Sequence, residues 1–236
     1  MKTIILCGGK GTRLHEKTED VPKPMVEIGG QPILWHIMNI YASYGYKDFI
    51  LCLGYKKDYV FNYLENNNLK EKYGFNINAI DTGLDAPKGQ RINMVKEHID
   101  GEPFMMTYGD GVANINIDKL ILHHVKNDKI STFTGVHPPS RFATIELDKN
   151  NNITSWKEKH PIIEYVNGGF FIFKNKIFYY LKNNEELEEG PMEKLVKDGQ
   201  AVMYPHEGYW ESLDTYRDYL SLNKKWSDGK ALWKTW

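Results

Sequence analysis

The residues whose types and spacing best suit a chemical step lie in one early segment, LCGGKGTRLHEKTEDVPKPM (residues 6–25). Its three glycines, Gly8, Gly9 and Gly11, let successive backbone N–H groups approach the oxygens of an anion. The planar guanidinium of Arg13 matches the shape of a phosphate group. The segment lacks both the Walker A spacing and the third glycine of the dinucleotide fingerprint. It predicts either an anion site of another kind or, on the glycines alone, a tight strand-to-helix turn with solvated charges.

A lysine between two prolines closes this segment. Pro22 and Pro24 have fixed φ angles, and a residue that precedes proline is expected to stay out of the helical region. A cation on such a stiff backbone is well placed to meet negative charge that develops during a reaction. Taken in isolation, Lys23 would be an idle surface lysine, so its interpretation depends on Arg13 and the glycines beside it.

Two aspartates, far apart in the chain, could serve a metal ion. Asp110 follows the apolar run PFMMTY and has glycine on both sides, whereas Asp214 stands where a helix N-cap is expected. Taken singly, the first is typical of a turn and the second of a cap. Mg²⁺ in proteins takes one or two carboxylates and completes its coordination with phosphate oxygens and water. A nucleoside triphosphate at the glycine loop would therefore give both aspartates a common role.

The elements that must position these residues alternate in the first half of the chain. The strands are expected at residues 3–7, 48–54, 74–81 and 103–109, and the helices at 32–45, 56–67, 87–99 and 116–127. Such alternation is typical of a parallel, doubly wound α/β sheet, which binds ligands at the carboxyl ends of its strands. The glycine loop and Asp110 each follow a strand of this set.

The second half changes to strands with little helix between them, followed by helical stretches at 174–182 and 185–197, a strand at AVMYP and a last helix over TYRDYLSLNKKW. The predicted fold class is α/β, a Rossmann-like doubly wound mixed sheet with a small antiparallel β flank. No linker interrupts the sequence. Residues 1–236 are therefore predicted to form one domain, with a nucleotide-binding half (1–130) and an acceptor-binding half that carries the C-terminal tail (131–236).

Composition limits the classes of partner. The 236 residues are 41% hydrophobic, and 30 basic against 31 acidic side chains leave a net charge of −1. Without a field of one sign, binding to nucleic acid or to an anionic membrane is disfavoured. No apolar run approaches the roughly 20 residues of a membrane span, and no targeting signal is recognisable. Cys7 and Cys52 lie in strand-like runs and are expected to be reduced, so the protein is predicted to be cytoplasmic.

The C-terminal segment interleaves tryptophans with lysines. Trp226, Trp233 and Trp236 could suggest a platform on which nucleic-acid bases stack. The near-zero net charge argues against that interpretation. A tail that docks on its own domain or on a neighbouring subunit is favoured.

The motifs taken together resemble a known family. GGKGTRLHEKTEDVPKPM followed by VEIGGQPILWHIM resembles the signature of the sugar-1-phosphate nucleotidylyltransferases, and is most similar to their glucose-1-phosphate cytidylyltransferase branch. The similarity recurs at YGDGVAN, KEKHP, NGGFF, GYWESLDTYRD and the closing KALWKTW. It therefore spans nearly the whole chain, and the first motif is highly specific for the superfamily.

The resemblance implies a fold, a reaction and a set of site residues. The fold would be the nucleotidyltransferase, glycosyltransferase-A-like one, and the reaction a Mg²⁺-dependent transfer of CMP from CTP to a phosphorylated acceptor such as glucose 1-phosphate, with release of pyrophosphate. Lys23 and Arg13 would act in catalysis, and Asp110 and Asp214 would bind the metal. The residues implied for nucleotide binding are Leu6, Gly8, Gly9, Gly11, Thr12, Arg13, Lys23, Arg91 and Asp110, and those for acceptor binding are Lys159, Asn167 and Gly168.

Three departures from the family pattern concern the acceptor. The segment before GQRI is shorter than in a typical member by roughly twenty residues, a change that a surface loop tolerates cheaply. Ala143-Thr144 stands where the branch usually has a glycine, and His160 is inserted into the EKP segment. CTP is thus better supported than glucose 1-phosphate. Phosphoglutamine, phosphocholine or a phosphonate remain alternative acceptors.

Two further classes of function remain as alternatives. One is a catalytically silent nucleotide-binding homologue, against which the joint presence of Arg13, Lys23 and the two aspartates argues. The other is a dinucleotide oxidoreductase, against which the incomplete glycine fingerprint argues. By resemblance, the product would feed capsule or other surface-polysaccharide synthesis, and the chain would form a homo-oligomer.

Overall fold

A computed structural model describes residues 1–14, 21–101, 103–140, 142–158, 160–182 and 184–236. The strands are β1 (Thr3–Leu6), β2 (Glu27–Ile28), β3 (Gln31–Pro32), β4 (Asp48–Leu53), β5 (Asn76–Asp81), β6 (Phe104–Tyr108), β7 (Gly111–Ala113), β8 (Ser131–Val136), β9 (Thr144–Leu147), β10 (Ile153–Lys157), β11 (Val166–Phe173), β12 (Ala201–His206) and β13 (Trp210–Ser212). The α-helices are α1 (Ile33–Ala42), α2 (Lys57–Asn67), α3 (Leu69–Tyr73), α4 (Lys88–Met94), α5 (Ile117–Asn127), α6 (Glu193–Lys197) and α7 (Tyr216–Ser227).

Seven strands form the central sheet, in the order β12-β8-β11-β6-β1-β4-β5. β1 pairs in parallel with both β4 and β6, β4 pairs in parallel with β5, and β8 pairs in parallel with β12. β11 runs antiparallel to its neighbours β6 and β8. The predicted α/β fold with a mixed, mostly parallel sheet is confirmed.

Both faces of the sheet carry a hydrophobic core. Successive residues of β1 alternate between the two cores, since Ile5 packs in one and Ile4 in the other. The same alternation separates Met105 from Met106 on β6. A strand with apolar residues on both faces needs cover on both sides, which is the pattern of a doubly wound sheet.

The second half of the chain was expected to form only a small flank, but three of its strands, β8, β11 and β12, belong to the central sheet. Gly168 to Phe173 of β11 are all buried, and so this strand belongs in the interior of a sheet rather than at a half-exposed edge. β8 and β12 extend the same sheet beyond it. Among the strands of the second half, β9 and β10 form a separate two-stranded antiparallel sheet with largely exposed residues, and β13 pairs with β7. The division into two halves within a single domain stays a prediction.

The C-terminal tail docks on its own domain, which is one of the two arrangements that the sequence favoured. Trp233 is fully buried in the core against α1. Its indole Nε1 donates a hydrogen bond to Nδ1 of His36, 3.3 Å away, while Nε2 of the same histidine donates to the carbonyl of Ile28 at 2.8 Å. The rings of Trp226 and Trp236 lie against the same imidazole. His36 therefore links the tail to the body of the protein, and it does so in its neutral form.

Acid is expected to weaken this attachment. Burial lowers the pKa of His36 to about 4, and the charge of Lys234 acts in the same direction. An unfolded histidine titrates at about 6.5, so between these values the unfolded chain binds the extra proton and the free energy of unfolding falls as the pH falls. From pH 7 to pH 4.5 this residue should contribute a loss of about 2 kcal/mol.

Chemical denaturation of the wild type and of His36→Gln at both pH values measures this contribution. The glutamine amide can donate and accept as the neutral imidazole does, but it does not titrate. The pH dependence should be smaller in His36→Gln and unchanged in the control His98→Gln, whose side chain is exposed. Equal pH dependence in the wild type and His36→Gln would show that His36 is not responsible.

Two further expectations concern the cysteines and the membrane. Cys7 and Cys52 are both free and buried, and burial raises the pKa of the Cys52 thiol to about 12. Over the residues described, no helix has the length and apolar character needed to cross a bilayer.

Candidate active site

A cavity of about 500 Å³ lies at the carboxyl ends of β1 and β6. This is the edge at which an open α/β sheet is expected to bind its ligand. The sequence-predicted residues that line it are Leu6, Gly8, Gly9, Gly11, Thr12, Arg13, Lys23, Arg91, Asp110 and Asn167. Asp214 reaches the same place through its contact with Lys23, whereas Lys159 lies outside the described residues.

Lys23 is the centre of a cluster of opposite charges. Its Nζ donates to Oδ2 of Asp110 at 2.6 Å and to Oδ1 of Asp214 at 2.8 Å. The lysine side chain is only 10% exposed, so this is not the idle surface lysine of the alternative interpretation. Arg13 Nη2 lies 3.0 Å from the same Oδ1 of Asp214. The fold thus joins residues that lie 87 and 191 positions apart in the chain.

The local backbone at Lys23 differs from the expectation. Lys23 begins a short 3-10 turn, Lys23–Met25, although a residue before proline was expected to avoid helical geometry. Pro24 fits there because the first turn of a helix does not use its missing N–H. The hydrogen bonds from Met25 N to the Pro22 carbonyl, 2.8 Å, and from Val26 N to the Lys23 carbonyl, 3.1 Å, close the turn. The ammonium is therefore held by a closed turn rather than by an extended segment.

Asp214 remains ionised in this setting. Burial has the largest single effect and raises the pKa of its carboxyl, but the hydrogen bond and charge of Lys23, the charge of Arg13 and the hydrogen bond from Ser212 together lower it below its usual value. The helix cap that the sequence suggested at Asp214 is formed one residue later. Thr215 accepts from the backbone N–H of Asp218, whose carboxylate accepts in return from Thr215 N.

Arg91 supports the glycine loop from behind. Its guanidinium donates to four backbone carbonyls and one hydroxyl, those of Gly8 (3.2 Å), Leu53 (3.0 Å), Gly83 (2.8 Å), Leu84 (3.1 Å) and Thr82 (2.7 Å). A Cβ atom at Gly8 would lie 2.1 Å from Nη1 of Arg91, so only glycine allows this approach. Arg91 therefore positions the end of β4 and the loops that follow β1 and β5. Recognition of the base by Arg91 stays a prediction.

The loop itself uses glycine where the backbone requires it. Gly11 has a φ of +64°, in the left-handed region that favours glycine. Its carbonyl accepts from Leu14 N at 3.0 Å, which begins the 3-10 turn that carries Arg13. The glycine loop therefore turns sharply at the mouth of the cavity, as an anion site formed by backbone N–H groups requires.

The far side of the cavity is built from β11 and the end of β6. The side-chain amide of Asn167 donates to the hydroxyl of Tyr108 at 3.0 Å, and its Oδ1 accepts from Gly169 N at 2.9 Å. The Gly168 carbonyl accepts from the indole of Trp210 at 2.7 Å. Asn167 thus faces the cavity, whereas Gly168 lies behind it and is tied to β13.

Eight lining residues were not predicted from the sequence, and four of them have polar or charged side chains: Lys88, Tyr108, Glu186 and Glu188. Lys88 and the two glutamates lie in segments that were assigned simply as helices, and Tyr108 closes a buried strand. Tyr108 opens the YGDGVAN motif, but no role was assigned to it. For the two glutamates, the available signal was the acidic run EELEEG before Pro191, because such a run favours a loop over a core-facing helix. The structure shows an irregular segment there, with non-helical φ and ψ angles at Glu189 and Gly190.

The two aspartates fit a single divalent cation. The described residues contain no group of three or more histidine, cysteine, aspartate or glutamate side chains that could hold a metal by themselves. Asp110 and Asp214 converge on one ammonium group, so one small cation can reach both carboxylates. Two carboxylates with phosphate oxygens as further ligands are what Mg²⁺ prefers in nucleotide sites.

Comparison with known proteins gives consistent matches along the whole chain. The family model described as nucleotidyl transferase matches residues 2–229. A Bacillus subtilis (strain 168) protein named "Probable glucose-1-phosphate cytidylyltransferase" is 41% identical, and the glucose-1-phosphate cytidylyltransferase of Salmonella typhimurium is 40% identical; both alignments cover all of both chains. The crystal structure of HddC from Yersinia pseudotuberculosis is similar with a TM-score of 0.76 at 26% identity, over 95% of this chain and 99% of that one.

Proposed function

This chain belongs to the nucleotidyl transferase family, and we propose that it is a Mg²⁺-dependent cytidylyltransferase whose acceptor is a sugar 1-phosphate, glucose 1-phosphate in the first instance. The reaction is CTP plus sugar 1-phosphate to CDP-sugar plus pyrophosphate. The observation that carries the proposal is the nearly buried Lys23 ammonium, held by two aspartates at the cavity that the glycine loop borders.

The reaction exchanges one P–O bond for another. An oxygen of the acceptor phosphate attacks the α-phosphorus of CTP, and the bond from that phosphorus to the bridging oxygen of pyrophosphate breaks on the opposite side. A phosphomonoester with a second pKa of about 6 is already mostly dianionic at neutral pH, so no general base is required. The difficulty is electrostatic, because two polyanions must approach, and the protein contributes position and positive charge.

The residues of the cavity divide these tasks. Backbone N–H groups of the glycine loop hold the phosphates of the nucleotide. The Lys23 ammonium neutralises charge at the α-phosphate and the incoming oxygen, and Arg13, more exposed at the mouth, binds the departing pyrophosphate. Asn167 lines the cavity and, by the family resemblance, binds the acceptor.

Asp110 and Asp214 would hold the magnesium ion. The ion, when bound, supplies charge neutralisation and alignment of the phosphate oxygens. Both aspartates already converge on a cation, and the lowered pKa of Asp214 keeps that carboxylate ionised and able to bind a metal at neutral pH.

Support for CTP and for glucose 1-phosphate comes from the relatives of that name, which match from end to end. They also count against a catalytically silent homologue. His160 and Ala143-Thr144 still differ from the branch pattern in the acceptor half. Phosphoglutamine, phosphocholine and phosphonates therefore belong in the panel of acceptors. A role in capsule polysaccharide synthesis, a cytoplasmic location and a homo-oligomeric state stay predictions.

The test is a matrix of substrates scored by pyrophosphate release. Each of the four nucleoside triphosphates is incubated with Mg²⁺ and with glucose 1-phosphate, other hexose 1-phosphates and the non-sugar phosphates. We expect the highest kcat/KM with CTP and a sugar 1-phosphate. A clear preference for another nucleotide, or turnover with the non-sugar acceptors alone, would refute this assignment.

A further inference from the structure

Glu188 places a carboxylate, paired with Lys88, in a cavity that also contains cations suited to phosphates. It lines the cavity together with the cations Arg13 and Lys23, and with Asn167. A carboxylate repels phosphate groups at close range. Without a cation between them, such a carboxylate is expected to face a part of a substrate that offers hydrogen-bond donors rather than phosphate oxygens.

The Glu188 carboxylate is held in place by two side chains from other elements. The Tyr108 hydroxyl donates to Oε1 at 2.5 Å, and the Lys88 ammonium lies 2.8 Å from the same oxygen. Lys88 is itself fixed by its backbone N–H, which donates to Oε2 of Glu186 at 3.3 Å. The aromatic ring of Tyr108 also lies under the Lys88 ammonium, 5.6 Å from ring centre to nitrogen. The orientation of Glu188 is thus set before any substrate binds.

The second carboxylate oxygen of Glu188 can accept a hydrogen bond. Both contacts above use Oε1, and within the described residues Oε2 has no hydrogen-bond partner. The side chain is 34% exposed, on the wall of the cavity. A charged acceptor that is already oriented binds a hydroxyl group more strongly than water-exposed neutral groups do.

Under the proposed function, in which Asn167 binds the acceptor, this carboxylate belongs to the acceptor side. The Tyr108 hydroxyl that holds Glu188 also accepts from Asn167, the residue on β11 that faces the cavity. Tyr108 is the last residue of β6 and stands two positions before Asp110. Two hydrogen bonds and an ion pair therefore connect Asn167, Tyr108, Glu188 and Lys88 within the lining of the cavity.

We propose that Glu188 binds hydroxyl groups on the sugar ring of the acceptor, with Tyr108 and Lys88 as the positioning residues that hold it. The inference rests on the proposed function and adds to it a residue that selects a polyhydroxylated acceptor. Loss of a hydrogen bond to a charged group costs about tenfold to a hundredfold in binding.

Steady-state kinetics of Glu188→Ala and Glu188→Gln test this role. For Glu188→Ala, the KM for glucose 1-phosphate should rise at least tenfold, while the KM for CTP changes less than twofold. The wild type should also prefer glucose 1-phosphate to its mono-deoxy analogues, and Glu188→Ala should lose that preference for at least one analogue. Glu188→Gln keeps an acceptor oxygen without the charge, so its KM for glucose 1-phosphate should lie between those of the wild type and Glu188→Ala.

Glu189→Ala is the matched control. It removes the same charge one residue further along, where the side chain is exposed and does not line the cavity. Its kinetic constants should equal those of the wild type. Tyr108→Phe removes the hydroxyl that donates to Glu188 and also accepts from Asn167. It should raise the KM for the acceptor in the wild type but not further in Glu188→Ala, and it should leave the KM for CTP unchanged, a pattern that general destabilisation would not produce.

The possible failures are distinguishable. A wild type that releases no pyrophosphate with any sugar 1-phosphate overturns the proposed function and this inference together. An active wild type with an unchanged acceptor KM in Glu188→Ala overturns the inference alone. A rise confined to the KM for CTP also overturns it, because the carboxylate would then bind the nucleotide.

Discussion

Replacement of Lys23 by alanine is expected to lower kcat by a factor of about 100 to 1,000, with a much smaller effect on CTP affinity. The ammonium is nearly buried at the bottom of the cavity, where no solvent cation can take its place with the same orientation. Its contribution is largest when charge develops between the incoming and departing oxygens, so it is lost mainly from kcat. Initial rates of pyrophosphate release and calorimetric titration with a non-hydrolysable CTP analogue measure the two effects separately.

The control for Lys23→Ala is Lys10→Ala. Lys10 belongs to the same loop, but its side chain is half exposed, pairs with Asp85 and does not line the cavity. Rates must be compared at equal folded fraction, because removal of Lys23 leaves Asp110 and Asp214 without their shared cation. Near-normal turnover in folded Lys23→Ala would remove the central support of the mechanism.

Replacement of Asp110 by asparagine is expected to lower kcat/KM at a fixed Mg²⁺ concentration by at least about 100-fold and to raise the Mg²⁺ concentration needed for half-maximal rate. Asparagine keeps the size of the side chain and one carbonyl oxygen but removes the charge that binds a divalent cation. Lys23 still has Asp214 as a partner, so the fold should be retained. Rates over a series of Mg²⁺ concentrations and thermal unfolding of the apoprotein give the two readouts.

Asp85→Asn supplies the comparison for Asp110→Asn. Asp85 pairs with Lys10 at an exposed position near the glycine loop and carries the same charge without contact to the Lys23 cluster. It should show an unchanged Mg²⁺ requirement. If Asp110→Asn also kept the wild-type requirement, Asp110 would not bind the metal.

The central strands, most of the site and the docked tail could be predicted from the sequence. Strand–helix alternation, the glycine loop after β1 and the aspartate after β6 are local patterns, and an open α/β sheet places the ends of its parallel strands at one edge. The interior position of β11 was not evident, because an apolar run such as GGFFIFK does not reveal how many of its faces are covered. The pairing of β11 with β6 on one side and β8 on the other places it in the interior of the sheet.

The chemical roles of individual residues divide in the same way. By itself the sequence determined that a glycine loop with an arginine follows one strand, that an aspartate follows another, and that a proline-flanked lysine closes the segment of the loop. Backbone stereochemistry and hydrophobic periodicity act over a few residues, which is why these features are visible in the sequence. Only the tertiary structure decided that Asp214 and Asp110 both bind the Lys23 ammonium and that Glu188 faces the cavity. It also decided that the hydrogen bonds of Arg91 go to the end of β4 and to the loops after β1 and β5. Those contacts join segments that are far apart in the sequence and that packing brings together. A local sequence pattern therefore cannot predict them.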